Sequence, residues 1–380
     1  MNLLVSLDGI SNQLFEKEYK IRKSLFPTHV YVKRLQTVNP SVTFPVHVSV
    51  MTGKHPASHG IFENVTVTDQ EFTRIELYHL LKAQSREILK TETIFDKLVT
   101  KGIQCKTIHW PMAAGLLAKC VPESAVVHDD SNSVEYAKIL DKKAYKELED
   151  AMKGKKEDLI AVHFVEYDAA AHIYGVESKK TREALQRVLS YVDKILGKRN
   201  TYEVEYLLFF SDHGLISRTD SFFPNQYVTA HGYEEKWKKK QFRFLCDGSG
   251  SVLYYSHMTK REDEELLACL MSSGKTNHYE WIPERKFHLP FPKAIIDLKR
   301  GVCAEDIMPG EKAKYAQMKG IHGYHNQQVE EMDGFLLGFT KNKIKTQILE
   351  KRDVTDITET IAKFYDIDFK TEGQVIAEIL

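Results

Sequence analysis

Three short apolar runs in this chain lead straight into an acidic residue. Residues 3–7 run into Asp8-Gly9, residues 159–165 into Glu166-Tyr167-Asp168, and residues 206–210 into Ser211-Asp212-His213-Gly214. Each run has the length and the apolar content of a buried strand. Between the last two, Leu185, Val188, Leu189, Val192, Ile195 and Leu196 recur at helical spacing, and Gly197 follows as a stop signal. The stretch therefore reads as a βαβ unit. Further strands are predicted at 104–108 and 335–339. A C-terminal helix is predicted on Val354, Ile357, Ile361 and Phe364, with Asp353 or Thr355 at its cap. Together these give an α/β fold with a mainly parallel central sheet and helices on both faces.

No repeat, low-complexity tract or linker divides the chain. Residues 1–380 are expected to form a single catalytic domain, with 215–319 as an insertion or cap. That region has few long apolar strands, an aromatic cluster of Phe222, Phe223, Tyr227, Tyr233 and Trp237, and a basic run of Lys236 and Lys238 to Lys240. The aromatics read as the cap's own core, and the basic run as a solvated face.

Net charge narrows the partners. With 53 Lys+Arg against 53 Asp+Glu, no overall field favours a nucleic-acid polymer or an anionic membrane. No stretch has the roughly 18 apolar residues of a membrane span. The start, MNLLVSLDGI, has no basic segment before its apolar run and reads as a first strand, not a signal peptide. Five cysteines without C-x-x-C spacing point to a reducing, cytoplasmic compartment. Oligomeric state leaves no mark in the sequence.

In an open α/β sheet, ligands bind beyond the carboxyl ends of the strands. Three aspartates at one such edge repel one another unless a cation neutralises them. Histidines stand close by: His172 is four residues after Asp168, His213 follows Asp212, and "KGIHGYHNQ" supplies His322 and His325. Oxygen and nitrogen donors without thiolate suit catalytic zinc, manganese or iron(II). Asp8, Asp168, Asp212, His172, His213 and His322 are too many for one tetrahedral ion and right for two. Two ions about 4 Å apart form the clamp used in phosphoryl transfer. Thr43 lies in "TFPVHVSVMTGKHPASHGI", where Pro45 stiffens its loop and the following apolar spacing suggests a buried helix. Its hydroxyl becomes a nucleophile once a metal or base lowers its pKa.

Other histidines have plainer readings. His47, His55 and His59 are read as structural, His59 shaping the turn at Gly60. His109 and Trp110 form either a pocket wall or core packing, and His231 is read as a surface residue.

The ordered set "SLDGI", "SVTFPVHVSVMTGKHPASHGI", "VEYDAAAHIYG", "FSDHGL" and "IHGYHN" resembles the type I phosphodiesterase/nucleotide pyrophosphatase family of the alkaline phosphatase superfamily. The resemblance implies a two-zinc hydrolase, manganese being the alternative metal, that forms a phospho-threonine intermediate. It implies Thr43 as the nucleophile, which also contacts metal. Asp8, Asp212 and His213 would hold the activating ion, and Asp168, His172 and His322 the second. Asn64 falls where the family has an asparagine that donates to a phosphoryl oxygen. Val46 replaces a frequent asparagine of the family, and His325 a frequent aspartate. The family's base-stacking aromatics have no counterpart recognisable in the sequence. The chain resembles an intracellular, bacterial-type relative.

The expected substrate is a small phosphodiester or pyrophosphate, nucleotide-like in character. The alternatives are a phosphomonoesterase or a C–P hydrolase of the phosphonoacetate type. A more remote one is a non-catalytic protein whose aspartates are caps. No C-x-P-x-R motif supports a sulfatase.

Overall fold

β1 (Asn2–Leu7) is buried at every residue, and such a strand needs cover on both faces of its sheet. The computed structural model supplies it. The structure describes residues 1–380 apart from 25, 79, 81, 123–130, 309–310 and 342–344. Among the described residues β1 lies within an eight-stranded sheet with β2 (Val30–Gln36), β3 (Cys105–Ile108), β4 (Lys119–Val121), β5 (Leu159–Phe164), β6 (Tyr206–Phe210), β7 (Gly334–Thr340) and β8 (Gln347–Asp353). The spatial order is β8-β2-β7-β6-β1-β5-β3-β4. All neighbours are parallel except β7, which is antiparallel to β2 and β6. The mainly parallel sheet expected from the sequence is therefore present. β2, β4 and β8, which the sequence reading missed, complete its edges.

Alternation along β1 sorts its side chains onto two faces. Leu3, Val5 and Leu7 pack with Leu185, Val188, Val192 and Ile195, while Leu4 packs with Val46, Val48 and Val50. The first face is covered by α4 (Lys179–Lys198) and the second by α1 (Thr43–Thr52). All ten residues of α1 are buried, as an apolar helix enclosed on all sides requires. α2 (Ser131–Gly154), α3 (Glu166–Tyr174) and α5 (Asp356–Phe364) complete the layers used below.

Two predicted signals act differently from expectation. Gly197 does not stop α4, which continues to Lys198 and is followed by a right-handed Arg199. Thr355 takes the cap position of α5, but its hydroxyl donates to Asp353 Oδ1 instead of accepting from the helix. Local Ser/Thr-to-Asp bonds of this kind compete with helix capping.

Within 215–319 the structure is richer in strands than the sequence suggested. Phe242–Leu245, Ser251–Ser256, Ala294–Leu298 and Thr276–Trp281 form a four-stranded antiparallel sheet in that order. Asp220–Phe222, Val302–Glu305 and Asp247–Ser249 form a second, three-stranded sheet. The helix Lys260–Met271, started by a Thr259/Glu262 capping box, packs on their shared core. Phe222 is buried in that core and Tyr227, Tyr233 and Trp237 pack against it.

Gly9, at the exit of β1, has φ +76°, and a Cβ there would lie 2.6 Å from Leu215 and 3.0 Å from Asp168 Oδ1. Gly9→Ala should lower stability in urea unfolding by about 1–3 kcal/mol, combining left-handed strain with displacement of Leu215.

Candidate metal centre

The parallel register of β6, β1 and β5 brings the ends of three adjacent strands to one edge. Asp8 leaves β1, Asp212 leaves β6, and Asp168 stands in the first turn of α3 after β5. All three are buried. Asp212 Oδ1 accepts from Gly9 N at 3.2 Å and His213 N at 2.9 Å, so its other oxygen faces the site. Ser211 Oγ accepts from Ile10 N and donates to His213 O, which stitches the two turns together.

Ligand atoms converge on His213 Nε2. Thr43 Oγ1 lies 3.1 Å away, Asp212 Oδ2 3.4 Å and Asp8 Oδ1 3.5 Å. Ligands about 2.0–2.1 Å from one tetrahedral ion stand roughly 3.3 Å apart, so these spacings fit a shared cation. Asp212 Oδ2 is buried without a hydrogen-bond partner, as a ligand atom would be in the absence of its ion.

Asp168, His213 and His322 form a second group whose ligand atoms lie within 4.8 Å of one another. His172 stands beside it. Its Nδ1 donates to Gly320 O at 2.8 Å and its Nε2 lies 3.3 Å from Asp168 Oδ2. Burial works against a charge on this imidazole, but the Asp168 carboxylate outweighs it and raises the pKa. Gly320 approaches α3 so closely that a Cβ would sit 2.4 Å from Ala171 O. The His322 ring stacks 4.0 Å from that of His213. His325 instead accepts from Gln327 N and lies outside both groups.

Asn64 reaches the helix that begins at Thr43. Its Oδ1 accepts from Phe44 N at 3.0 Å and its Nδ2 donates to Tyr78 Oη at 2.6 Å. The structure thus brings together Thr43, Asn64, Asp8, Asp168, Asp212, His172, His213 and His322.

A family profile described as type I phosphodiesterase / nucleotide pyrophosphatase matches residues 2–325. The chain belongs to this family. Human ectonucleotide pyrophosphatase/phosphodiesterase family member 1 is 28% identical over 224 residues, 56% of this chain and 23% of the relative. A Caenorhabditis elegans ectonucleotide pyrophosphatase/phosphodiesterase is 25% identical over 348 residues, 86% of this chain and 42% of its own length. The chain thus spans less than half of these two relatives. Among solved structures, murine ectonucleotide pyrophosphatase/phosphodiesterase 5 superposes with a TM-score of 0.75, 17% identity, and coverage of 98% of this chain and 97% of that one. An inactive threonine-to-alanine variant of that murine protein, in complex with AMP, gives a TM-score of 0.74 at 17% identity, covering 98% of this chain and 97% of the other. These likenesses show a shared fold.

In this family member the floor of the site is built from residues that sequence reading treated as background. His47 Nδ1 donates to Thr43 O at 2.8 Å and its Nε2 accepts from Ser6 Oγ at 2.9 Å. His163, unremarked in the sequence, points Nε2 at Asp8 Oδ2 from 2.9 Å. Its one sequence signal is a polar residue inside an otherwise apolar strand. Burial pushes both imidazoles down to about 3. His59 contacts Ser49 Oγ and accepts from Ile61 N, while His231 is exposed. Trp110 packs in the core against His47.

Glu63, next to Asn64, is fully buried, and burial, reinforced by Asp247, pushes its carboxyl up to about 8. Its contacts agree with a neutral acid. Ser249 Oγ lies 2.9 Å from both Glu63 Oε2 and the Ser251 carbonyl, and it has one proton. Given to the carbonyl, that proton leaves Ser249 Oγ able to accept from a protonated Glu63. Between the ordinary value of 4.5 and about 8, the folded state holds a proton that the unfolded chain has released. Stability therefore falls as pH rises through this window. Glu63→Gln, a neutral mimic, should match the wild type near pH 5 and exceed it by pH 8, the gap growing by at most about 1.4 kcal/mol per pH unit in urea titrations.

Proposed function

We propose that this chain hydrolyses phosphodiester or pyrophosphate bonds in small nucleotide-like substrates, with Thr43 as the nucleophile. Two divalent cations, zinc or manganese, would be held by Asp8, Asp212 and His213 beside Thr43, and by Asp168, His172 and His322 opposite. The observation that carries this reading is the 3.1 Å approach of Thr43 Oγ1 to His213 Nε2, where Asp8 and Asp212 also converge. When bound, such cations offset the carboxylate charge and lower the pKa of a nearby hydroxyl.

The chain's own groups do the rest. Thr43 is the first residue of α1, so the positive end of the helix dipole lies beside its hydroxyl, while Phe44 N is taken by Asn64 Oδ1 and Pro45 has no N–H. Phe44 N fixes the Asn64 amide, and of its two N–H bonds one goes to Tyr78, leaving the other for a phosphoryl oxygen. Thr43 Oγ1 attacks phosphorus and the bond to the leaving oxygen breaks, the leaving group taking its proton from solvent. Water then attacks the phospho-threonine, the P–Oγ bond breaks, and a phosphate monoester departs as the hydroxyl regains its proton.

A nucleotide substrate is supported by the nucleotide-processing relatives and by AMP in the murine neighbour. Residues 215–319 act as the cap that shapes substrate choice within a single catalytic domain. We place the chain in a reducing, cytoplasmic compartment on the strength of its five cysteines without C-x-x-C spacing. No helix among the described residues is long and apolar enough to cross a membrane.

Thr43→Ala should cost ~10³-fold or more in kcat and abolish acid-stable labelling of the enzyme by a radiolabelled nucleotide diester. Asn64→Ala should cost about 10²–10³-fold in kcat. Wild-type turnover of a nitrophenyl nucleotide diester should exceed that of nitrophenyl phosphate and phosphonoacetate. Full diester turnover by Thr43→Ala would refute the nucleophile.

A further inference from the structure

We propose that His163 is a positioning residue that aims the Asp8 carboxylate at the cation site beside Thr43. The inference rests on the metal-dependent reading above and assigns a duty to a side chain outside the proposed ligand set, although ligand atoms of His163, His47 and Asp212 also lie within 4.8 Å of one another.

His163 is fully buried next to the carboxyl end of β5, a strand otherwise composed of Leu, Ile, Ala, Val and Phe. An imidazole there costs free energy unless its nitrogens find partners. The parallel register pairs Ser6 with His163, and Asp8 lies two residues beyond Ser6, on the same face of the sheet. This places His163 Nε2 at 2.9 Å from Asp8 Oδ2, with Nδ1 3.3 Å from the His109 carbonyl. A carboxylate only accepts, so the shorter contact is an Nε2–H donation.

The consequence is directional. The carboxyl torsion of an aspartate is broad and roughly two-fold, so either oxygen can face the site in an unrestrained side chain. With Oδ2 held by His163, Oδ1 is turned to His213 Nε2 at 3.5 Å, into the group formed with Asp212. His47 braces the opposite wall, joining the Thr43 carbonyl to Ser6, its ring 4.4 Å from that of His163. Hydrogen-bond partners behind ligands typically govern 10–100-fold in metal affinity.

Two substitutions separate donation from shape. Gln can carry an N–H to the position of the imidazole Nε2, whereas Asn reaches only as far as Nδ1. Full-length protein stripped of metal by chelator would be titrated with Mn²⁺ alone in a calorimeter, and its melting followed without metal. His163→Asn should bind the tighter Mn²⁺ about 10–100-fold more weakly while melting cooperatively, and His163→Gln should recover most of the affinity. Should His163→Asn not melt cooperatively, His163→Phe, which fills the space without a donor, replaces it in the comparison. Wild-type affinity in the donor-less variant overturns the positioning role, as does a Gln variant no better than Asn. A wild-type protein that binds neither Mn²⁺ nor Zn²⁺ overturns the metal-dependent reading together with it.

Discussion

Parallel pairing of three neighbouring strands forces three carboxylates into one buried corner, and much of the structure follows from that crowding. Ligand oxygens of Asp8 and Asp212 lie within 4.8 Å of one another. At an effective dielectric of about 20, two unit charges at that distance repel by roughly 3 to 4 kcal/mol. Asp168 adds to this from the other side of His213. The sum rivals the whole stability of an ordinary domain, about 5–15 kcal/mol. A fold that keeps these groups together needs positive charge among them, and the donor set around His213 is suited to cations.

Beneath the corner the chain adds polarity without adding charge. Burial disfavours the charged forms of His47 and His163, which face Thr43 O and Asp8. Burial raises the Glu63 carboxyl to about 8. Charged forms of these groups would compete with the aspartates for the site's field. Their suppression leaves that field to the three strand-end carboxylates and to whatever they bind, while Thr43 stays in a mostly dry setting at the start of a fully buried helix.

This division explains what could be read from the sequence. Strand-end aspartates are legible because a short apolar run followed by an acidic turn is a local pattern, and three such turns fix an edge once the strands are taken as parallel. Thr43 and His322 are less local: a hydroxyl beside a stiffening proline and a histidine in a glycine-containing loop suggested them, and the motif resemblance gave them roles. β2 and β8 escaped notice because Lys33, Arg34, Lys351 and Arg352 interrupt their apolar pattern. The cap's strands were hidden by tyrosine, serine and charged residues on half-exposed faces. His163 could not be recognised from the sequence, since its meaning depends on a register between β1 and β5 that no local pattern encodes.

Residues 215–319 are tied to the group around His213 through one turn. Asp8, Asp212 and His213 stand on turns at the sheet edge. His322 and Asn64, by contrast, are reached from a single cap turn: Gly250 N donates to His322 O, and Ser249 bonds the Glu63 carboxyl that accepts from Asn64 N. The short pairing of Ile216–Ser217 with Gly320–Ile321 anchors the same segment. A shift of that turn would move a ligand of one group and the amide beside Thr43 together, while the strand-end ligands stayed in place. Sequence change within residues 215–319 can therefore shift His322 and the Asn64 amide together without disturbing the strand-end carboxylates.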